Sequence, residues 1–417
     1  MLYIGVDLGT SAVKLLLMNE EGKIEKISFQ RISSLFPHPG WSEQKPEDWW
    51  TQSIEGIKEL TAECDKSQVA GISFGGQMHG LVILDENDEV IRPAILWNDG
   101  RTTKETAYLN EVIGKDKLSE YTANIAFAGF TAPKILWVKE NEPEIYEKTA
   151  CFLISSKDYI IGRLTSVFAG DMTACSTAGA MDLDKKIWSE ELIGAAGVDI
   201  KKFPKLFYGH ECVGTVTETG ATESGYPVGT KVYAGTGDAG ATTLASGILA
   251  PGEYNINLGT SGWVAAVSNQ RMESEGGGFN LAAMQKDLLI NVVPFLNGGN
   301  VHRLIAKILS RDPDGAPDFG YISEILEKAE PGSHGLFFLP YVQVSGSRSW
   351  TAASGEAFWG YLKRPRRQIC TECPRGSGIF HPSGTGTVRP SGVKDHADRR
   401  RSEGTAMVPD LMQCHGT

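Results

Sequence analysis

The chain has no long hydrophobic run, since no apolar stretch reaches the roughly 20 residues that a membrane-spanning helix needs. Its N-terminus, MLYIGVDLGTS, lacks the basic start and apolar centre of a secretory signal peptide. The seven cysteines are odd in number and scattered, which argues against a disulfide framework. We therefore expect a cytoplasmic protein with reduced thiols and no membrane partner.

An excess of positive charge is also missing. The Lys and Arg side chains number 40 against 51 Asp and Glu, which gives a net charge of −11. General binding to nucleic acid favours the opposite balance, so we expect no nucleic acid partner. The length of 417 residues predicts two domains, because it exceeds what one ordinary core supports.

The last part of the chain has few of the residues that build a core. Residues 361–417 hold eight Ile, Leu, Val or Phe, and ten Lys or Arg against five Asp or Glu. In residues 1–360 the balance is reversed, with 30 basic and 46 acidic side chains. Ordering a segment costs on the order of 1–2 kcal/mol per residue in backbone entropy, which so little apolar surface does not offset. We expect residues 361–417 to be an anomalous, disordered tail.

The patterns that are present predict an α/β fold. Three short β-rich segments, MLYIGVD, VKLLLMN and EKISFQR, precede a helix that starts at Pro46 and a buried strand at 69–76. Residues 231–247 then predict a strand, a glycine loop and a helix of small residues, and residues 252–268 repeat the strand–turn–strand opening. This restart predicts an internal repeat on the scale of a domain, with a boundary near 246–252.

The same Leu-Gly-Thr-Ser turn occurs twice, in VDLGTSAVK at 6–14 and in INLGTSGWV at 256–264. Such a turn points backbone N–H groups and hydroxyls at one small volume, which suits phosphate oxygens. Two of them could hold a triphosphate from both sides of a cleft. Asp7 adds a carboxylate that can hold Mg²⁺, directly or through water, whereas Asn257 brings no charge. For either turn alone, a plain β-hairpin is the alternative interpretation.

Asp238 follows a predicted strand among glycines and alanines, in AGTGDAGA. Phosphoryl transfer to an alcohol requires a group that accepts the hydroxyl proton, and a carboxylate does this in kinases. The alternative role for Asp238 is the N-cap of the helix that follows. Taken alone, the residue leaves both roles open.

Seven motifs in a fixed order resemble those of the FGGY carbohydrate kinases, and among these the xylulokinases. They are MLYIGVDLGTSAVK, GGQMHG, AILWNDGR, GFTAPKILWV, KDYIIGRLTS, GTGDAGA and NLGTSG. The resemblance implies two actin-like, ribonuclease-H-like α/β domains around a cleft, the second of them incomplete. It divides the chain into an N-terminal sugar-binding domain at 1–246, a partial nucleotide-binding domain at 247–360 and the tail at 361–417.

The resemblance also implies roles for single residues. Met78 and His79 match a pair that contacts the ketose, and Asp238 matches the catalytic base, which contacts the sugar as well. The other matches are Trp97, Asn98, Asp99 and Arg101 on the sugar side, Thr10, Ser11, Lys14, Gly259, Thr260 and Ser261 at the ATP phosphates, and Asp7 at the metal.

The activity that the resemblance implies is phosphorylation of D-xylulose to D-xylulose 5-phosphate with ATP and Mg²⁺, a step of pentose catabolism. Ala239 stands where many relatives have Asn, which removes one hydrogen bond to the sugar. A kinase for ribulose, glycerol or gluconate therefore stays open as an alternative. A second alternative is an inactive sugar-binding fragment without an adenine site, because the second domain is incomplete. The implied partners are the sugar and ATP, and a homodimer is compatible with the resemblance.

The resemblance stops after AFWG at 357–360. Ser347 stands where the family has Glu, and a helix of the type VLEGVAYSIRQAL should follow but is missing. However, Cys373–Gly384, CPRGSGIFHPSG, can be encoded so that reading one base later gives VLEGVAYSIRQ. This coincidence indicates a change of reading frame between 360 and 373.

The reading-frame hypothesis predicts the codons of Cys373–Gly384. Sequencing the DNA that encodes the chain should find codons that read VLEGVAYSIRQ when shifted by one base. Codons that are incompatible with this second reading would reject the hypothesis.

Overall fold

A computed structural model of the chain describes residues 1–330 apart from 260–261, 274–276, 296–297 and 313–314. The predicted tail at 361–417 and the proposed frame change lie outside the described residues. So do two of the residues matched to the ATP phosphates, Thr260 and Ser261. The expectations for these parts of the chain stay predictions.

The strands of the described residues are numbered in chain order. They are β1 (Leu2–Leu8), β2 (Ala12–Asn19), β3 (Ile24–Arg31), β4 (Glu43–Gln44), β5 (Val69–Gly76), β6 (Val82–Leu84), β7 (Ala94–Ile95), β8 (Cys151–Leu153), β9 (Ala169–Asp171), β10 (Met181–Asp182), β11 (Ile187–Trp188), β12 (Lys205–Phe207), β13 (Cys212–Thr215), β14 (Lys231–Tyr233), β15 (Thr236–Gly237), β16 (Tyr254–Leu258), β17 (Gly262–Ser268), β18 (Phe279–Ala282) and β19 (Leu289–Phe295).

The helices are α1 (Pro46–Thr61), α2 (Thr103–Tyr108), α3 (Lys115–Thr122), α4 (Thr131–Asn141), α5 (Pro143–Lys148), α6 (Ser156–Thr165), α7 (Met172–Cys175), α8 (Glu190–Ala195), α9 (Glu218–Ser224), α10 (Asp238–Ala245), α11 (Gly299–Ile308) and α12 (Phe319–Glu327). Short 3₁₀ turns occur at Lys66–Gln68 and Ile200–Lys202, and a π-helical turn at Leu109–Gly114. Within the part of the chain that the structure describes, no helix has the length and hydrophobicity that crossing a membrane requires.

A seven-stranded sheet carries the first glycine turn. Its strands lie in the order β13-β14-β5-β1-β2-β3, and β15 also pairs with β5. β1, β2 and β3 pair antiparallel, whereas β5 runs parallel to β1, β14 and β15. The predicted opening of three strands, a helix and a buried strand is confirmed. So are the strand–loop–helix at 231–247 and the strand–turn–strand at 252–268.

Helix α1 covers one face of this sheet. It begins at Pro46, whose fixed φ suits a first helical position, and Glu47 and Asp48 place negative charge at the positive end of the helix dipole. Its buried face packs against β2 and β3. The large apolar side chains of that face are Trp49, Trp50, Ile54, Ile57 and Leu60.

The chain divides into two compact units. Among the described residues, the first comprises those in 1–251, 267–273 and 279–291, and the second comprises those in 252–266, 277–278 and 292–330. The seven-stranded sheet and β18 belong to the first unit. The second unit holds β16, α11 and α12, and the two helices pack together through buried Val301, Ile305 and Ile322.

Gly235 allows the chain to pass from β14 to β15 along the edge of β5. Its φ is +65°, and a Cβ at this position would lie 1.9 Å from the carbonyl oxygen of Phe74 in β5. No side chain fits at that distance, so the approach of the two backbones requires glycine.

Gly235→Ala should therefore lower the free energy of unfolding by about 3 kcal/mol or more. The left-handed conformation costs an L-residue about 1–2 kcal/mol, and overlap with a fixed backbone atom adds to that cost. Gly229→Ala is the matched control, because φ is +85° there and nothing lies within 4 Å of an added Cβ. Urea unfolding of both variants measures the difference. Equal losses would contradict the close approach at Gly235.

Candidate active site

The carboxyl ends of β1, β5 and β15 bring two aspartates to one edge of the sheet. Asp7 in β1 lies beside Gly75 in β5, and Thr236 in β15 lies on the other side of the same glycine. Asp238 follows β15 directly. Neighbouring strands lie about 4.8 Å apart, so the backbones that carry the two carboxylates are separated by about two such spacings.

The pKa of the Asp238 carboxyl is shifted toward neutral pH. Burial raises its pKa to about 7, and the negative charge of Asp7 contributes to the increase, whereas a hydrogen bond from Ala239 opposes it. That bond runs from Ala239 N to Asp238 Oδ1 at 2.8 Å. A carboxylate with a pKa near 7 can accept a proton at neutral pH and pass it on. The N-cap position of α10 belongs to Gly237, so capping does not explain Asp238.

Met78 and His79 follow β5 at the same edge. Met78 packs against Gly237, where an added Cβ would come within 2.5 Å of the Met78 Cγ and Sδ. His79 has a φ of +61°, a conformation that few residues other than glycine adopt. The fully buried Lys134 holds this backbone, since its Nζ donates to His79 O at 2.5 Å and to Gly129 O at 2.6 Å.

Aromatic side chains surround the His79 ring. Phe130 stacks on it with centroids 5.1 Å apart, and the Phe279 ring contacts it edge-on at 5.8 Å. His79 Nδ1 lies 2.7 Å from Thr177 Oγ1, which in turn lies 3.1 Å from Ala174 O. A hydroxyl has one proton, and the carbonyl can only accept it. The arrangement thus assigns the ring proton to Nδ1, which donates to Thr177, and leaves Nε2 as an acceptor.

Burial keeps the His79 ring uncharged. It lowers the pKa of His79 to about 3, and the positive charge of Lys134 lowers it further. Burial also lowers the pKa of Lys134 to about 7, although the charge of Asp99 opposes this. At pH 7 the imidazole is therefore neutral, and its Nε2 can accept a hydrogen bond from a hydroxyl group.

The first glycine turn presents charged and hydroxyl side chains to solvent. Gly9 N donates to Ala12 O at 3.0 Å, which closes the turn between β1 and β2. Ser11 and Lys14 are exposed, and Lys14 lies directly opposite Asp7 in the β1–β2 register. A cation, a hydroxyl and a carboxylate at one turn suit the phosphates and the metal ion of a nucleotide.

The residues matched to the sugar side in AILWNDGR separate into two groups. Trp97 is half-buried and Asn98 is exposed, and Trp97 Nε1 donates to Thr10 Oγ1 at 3.0 Å. Asp99 and Arg101 are buried against each other. Arg101 donates from Nε to Asp99 Oδ1 and from Nη2 to Asp99 Oδ2, both at 2.8 Å.

The Asp99–Arg101 pair belongs to a larger buried ion cluster. Arg101 Nη2 lies 2.7 Å from Glu43 Oε1, which also pairs with Arg92 Nη2 at 2.5 Å. The Arg101 guanidinium stands 3.7 Å from the ring centroid of Trp41. These contacts give Asp99 and Arg101 a supporting role in the scaffold. Their direct contact with a sugar stays a prediction.

The second glycine turn lies in the hairpin of β16 and β17, with Asn257 near the end of β16. Gly259 is exposed, and its carbonyl oxygen accepts a hydrogen bond from Gly299 N at 2.8 Å, where α11 begins. Thr260 and Ser261 lie outside the described residues. The turn therefore stands against the N-terminus of α11, and the Gly299 N–H is used in that contact.

The chemistry of the first turn fits Mg²⁺. Among the residues that the structure describes, no group of three or more His, Cys, Asp or Glu side chains converges on one point. Mg²⁺ bound with a nucleotide does not require such a group, because one or two carboxylates, water and substrate phosphates complete its ligands. The exposed Asp7 supplies one carboxylate at the sheet edge.

Four residues that shape the site were not predicted from the sequence as functional. Gln77, whose Oε1 accepts a hydrogen bond from Thr10 Oγ1 at 3.1 Å, lies inside the motif GGQMHG. Lys134 lies inside GFTAPKILWV, where a lysine within an apolar segment is a usable signal, because lysine is almost never fully buried without a partner. Thr177 and Phe279 carry no such signal. They reach His79 only through long-range packing.

Comparison with known families places this geometry in a class of enzymes. Residues 2–245 match the N-terminal domain of the FGGY family of carbohydrate kinases. The match covers more than half of the chain, and the chain belongs to this family. The predicted α/β fold of the actin-like type is confirmed.

Particular relatives are xylulose kinases. The chain is 40% identical to the xylulose kinase of Bacillus subtilis over 270 residues, 64% of this chain and 54% of that protein. It is 34% identical to the xylulose kinase of Escherichia coli over 399 residues, 94% of this chain and 80% of the relative. A crystal structure of a xyloylose kinase from Brucella ovis is similar with a TM-score of 0.78 and 30% identity, over 91% of this chain and 77% of the other. The chain thus matches about half the length of the Bacillus relative.

The raised pKa of Asp238 predicts that Asp238→Asn stabilises the fold at high pH. Because the folded-state pKa of about 7 exceeds the ordinary value of 3.8, stability that is fully present below pH 3.8 is lost as the pH rises through 7. Asn carries no charge and escapes this loss. At pH 8 the variant should gain about 1–2 kcal/mol over wild type, less than the full shift implies because solvent reaches the carboxylate.

Urea unfolding at pH 4 and pH 8 measures this difference. At pH 4 most of the Asp238 carboxyl in the folded protein is protonated, so the gain should largely disappear. A gain of equal size at both pH values would contradict the burial of a charge at Asp238.

Proposed function

We propose that this chain transfers the γ-phosphoryl group of ATP to D-xylulose, which gives D-xylulose 5-phosphate and ADP. The observation that carries the proposal is Asp238, a carboxylate with a pKa near 7 at the same sheet edge as Asp7 and the first glycine turn. The relatives that are named xylulose kinases support the choice of sugar.

The sugar is held by neutral groups. His79 Nε2 accepts a hydrogen bond from a sugar hydroxyl, and the flank of Met78 provides an apolar contact. Asp238 then accepts the proton of the terminal sugar hydroxyl, while the oxygen of that hydroxyl forms a bond to the γ-phosphorus. The bond from that phosphorus to the bridging oxygen breaks, and ADP leaves with the electron pair.

The phosphates of ATP are held at the first glycine turn. Backbone N–H groups of the first turn, with Ser11 and Lys14, bind phosphate oxygens, and Asp7 holds Mg²⁺ directly or through water. When bound, Mg²⁺ neutralises charge on the phosphate oxygens. Binding of ATP phosphates by Gly259, Thr260 and Ser261 in the second turn stays a prediction. A homodimer stays a prediction that a single chain does not test.

Asp238→Asn should lower kcat for xylulose phosphorylation by about 10²–10⁴-fold, because an amide does not accept the hydroxyl proton. Release of ADP in the presence of xylulose measures the rate. Asp88→Asn is the control, since Asp88 is exposed and its φ of +65° suits Asn equally well. A variant at Asp238 that keeps the wild-type rate would reject its role as base.

The same assay tests the substrate and the pH dependence. Xylulose should be turned over faster than ribulose, glycerol and gluconate, and equal or faster turnover of one of these would reject the choice of sugar.

Below pH 7, kcat/KM should fall about tenfold per pH unit as Asp238 becomes protonated. Calorimetry that detects sugar binding but no nucleotide binding would favour the inactive fragment.

A further inference from the structure

A closed ring of hydrogen bonds joins the first glycine turn to the segment after β5. Thr10 Oγ1 donates to Gln77 Oε1 at 3.1 Å, and Gln77 Nε2 donates to Gln44 Oε1 at 3.0 Å. Gln44 Nε2 closes the ring by donating to Thr10 O at 2.6 Å. Gln44 and Gln77 are 0% and 4% exposed, so water does not compete for these bonds.

The direction of every bond in the ring follows from one buried tryptophan. The indole Nε1 of Trp49 lies 2.9 Å from Gln44 Oε1, and an indole can only donate. This fixes the oxygen of the Gln44 amide and therefore turns its Nε2 toward Thr10 O, which can only accept. The Gln77 amide must then present its Nε2 to Gln44 and its oxygen to Thr10. The Thr10 hydroxyl proton is consequently directed at Gln77.

Because the Thr10 hydroxyl proton is donated to Gln77, it is not available for a phosphate oxygen. A threonine hydroxyl has a single proton, and both Gln77 Oε1 and a phosphate oxygen are acceptors. Thr10 therefore has no proton for a phosphate as long as the ring is closed. Its remaining capacity is that of an acceptor, which Trp97 Nε1 uses at 3.0 Å.

We infer that Thr10 is a positioning residue rather than a phosphate donor. The ring of Thr10, Gln77 and Gln44, with Trp97 donating into it, sets the conformation of the first turn. It also connects the turn to two segments of the proposed sugar side, since Gln77 precedes Met78 and Trp97 begins WNDGR. The kinetic part of this inference rests on the proposed function, whereas the structural part does not.

The structural test is hydrogen exchange of the ligand-free full chain, followed in a peptide that covers residues 8–14. Thr10→Val removes the hydroxyl at nearly constant shape, and Trp97→Phe removes only the indole donor. Each should speed exchange in this peptide about 5–30-fold, the factor expected for the loss of one or two buried hydrogen bonds. Thr10→Ser, which keeps the hydroxyl, should restore slow exchange.

Trp188→Phe is the matched control. It deletes the same donor from a tryptophan whose Nε1 bonds to Pro204 O at 2.7 Å, away from the ring. Exchange in residues 8–14 should be unchanged in this variant. Unchanged exchange in both Thr10→Val and Trp97→Phe would overturn the inference, whether or not the wild type is active.

The kinetic test is a double-mutant cycle on the KM for ATP. If Thr10 acts through the ring, Thr10→Val and Trp97→Phe each raise this KM about 5–30-fold, and the double variant raises it no further than the larger single effect. If Thr10 donates to phosphate directly, Thr10→Val alone raises the KM and Trp97→Phe leaves it unchanged, which would reject the inference. A wild type that phosphorylates none of the tested sugars would reject the proposed function, and the exchange measurements would still decide on the ring.

Discussion

The parallel pairing of β5 with β1 on one side and β15 on the other is the constraint on which the candidate active site depends. Parallel strands bring their carboxyl ends to the same edge of a sheet, and side chains just beyond those ends share one volume. Asp7, the Met78–His79 pair and Asp238 reach that volume from three distant parts of the sequence. Backbone hydrogen bonds between the strands set this placement, so the side chains of the candidate site are not needed to hold it.

Glycine residues let the chain that leads to Asp238 lie close against β5. A Cβ at Gly235 would overlap the carbonyl of Phe74, and a Cβ at Gly237 would overlap Met78. The backbone that leads to Asp238 can therefore run directly beside β5 and the residues that follow it. Glycine loses more conformational entropy on folding than other residues, so these positions give up stability for the geometry of the site.

Local patterns of the sequence predict the strands, helix α1 and the two turns, because each depends on near neighbours. The edge that Asp7 and Asp238 share is also predictable, since it needs only strand ends and the parallel topology. The partners of Asp99 and Arg101 could not be predicted from the sequence. Glu43 comes from a separate segment, and no spacing shows that it will be buried beside them. The contact of Phe279 with His79 likewise depends on packing between residues that are far apart in the chain.

Neutral groups line the proposed sugar side of the site, and charged groups lie at the turn that we propose for ATP. Burial shifts the pKa values of His79 and Asp238 toward their neutral forms, while Lys14 and Asp7 stay exposed at the turn. A sugar is neutral and is recognised by hydrogen bonds that gain strength in a site of low polarity, whereas a triphosphate with Mg²⁺ needs full charges. In the proposed mechanism, an ionised Asp238 is destabilised until it takes up a proton, and the sugar hydroxyl that attacks the phosphate supplies that proton. The burial that we expect to weaken the fold at high pH is thus the same property through which we propose that Asp238 acts as a base.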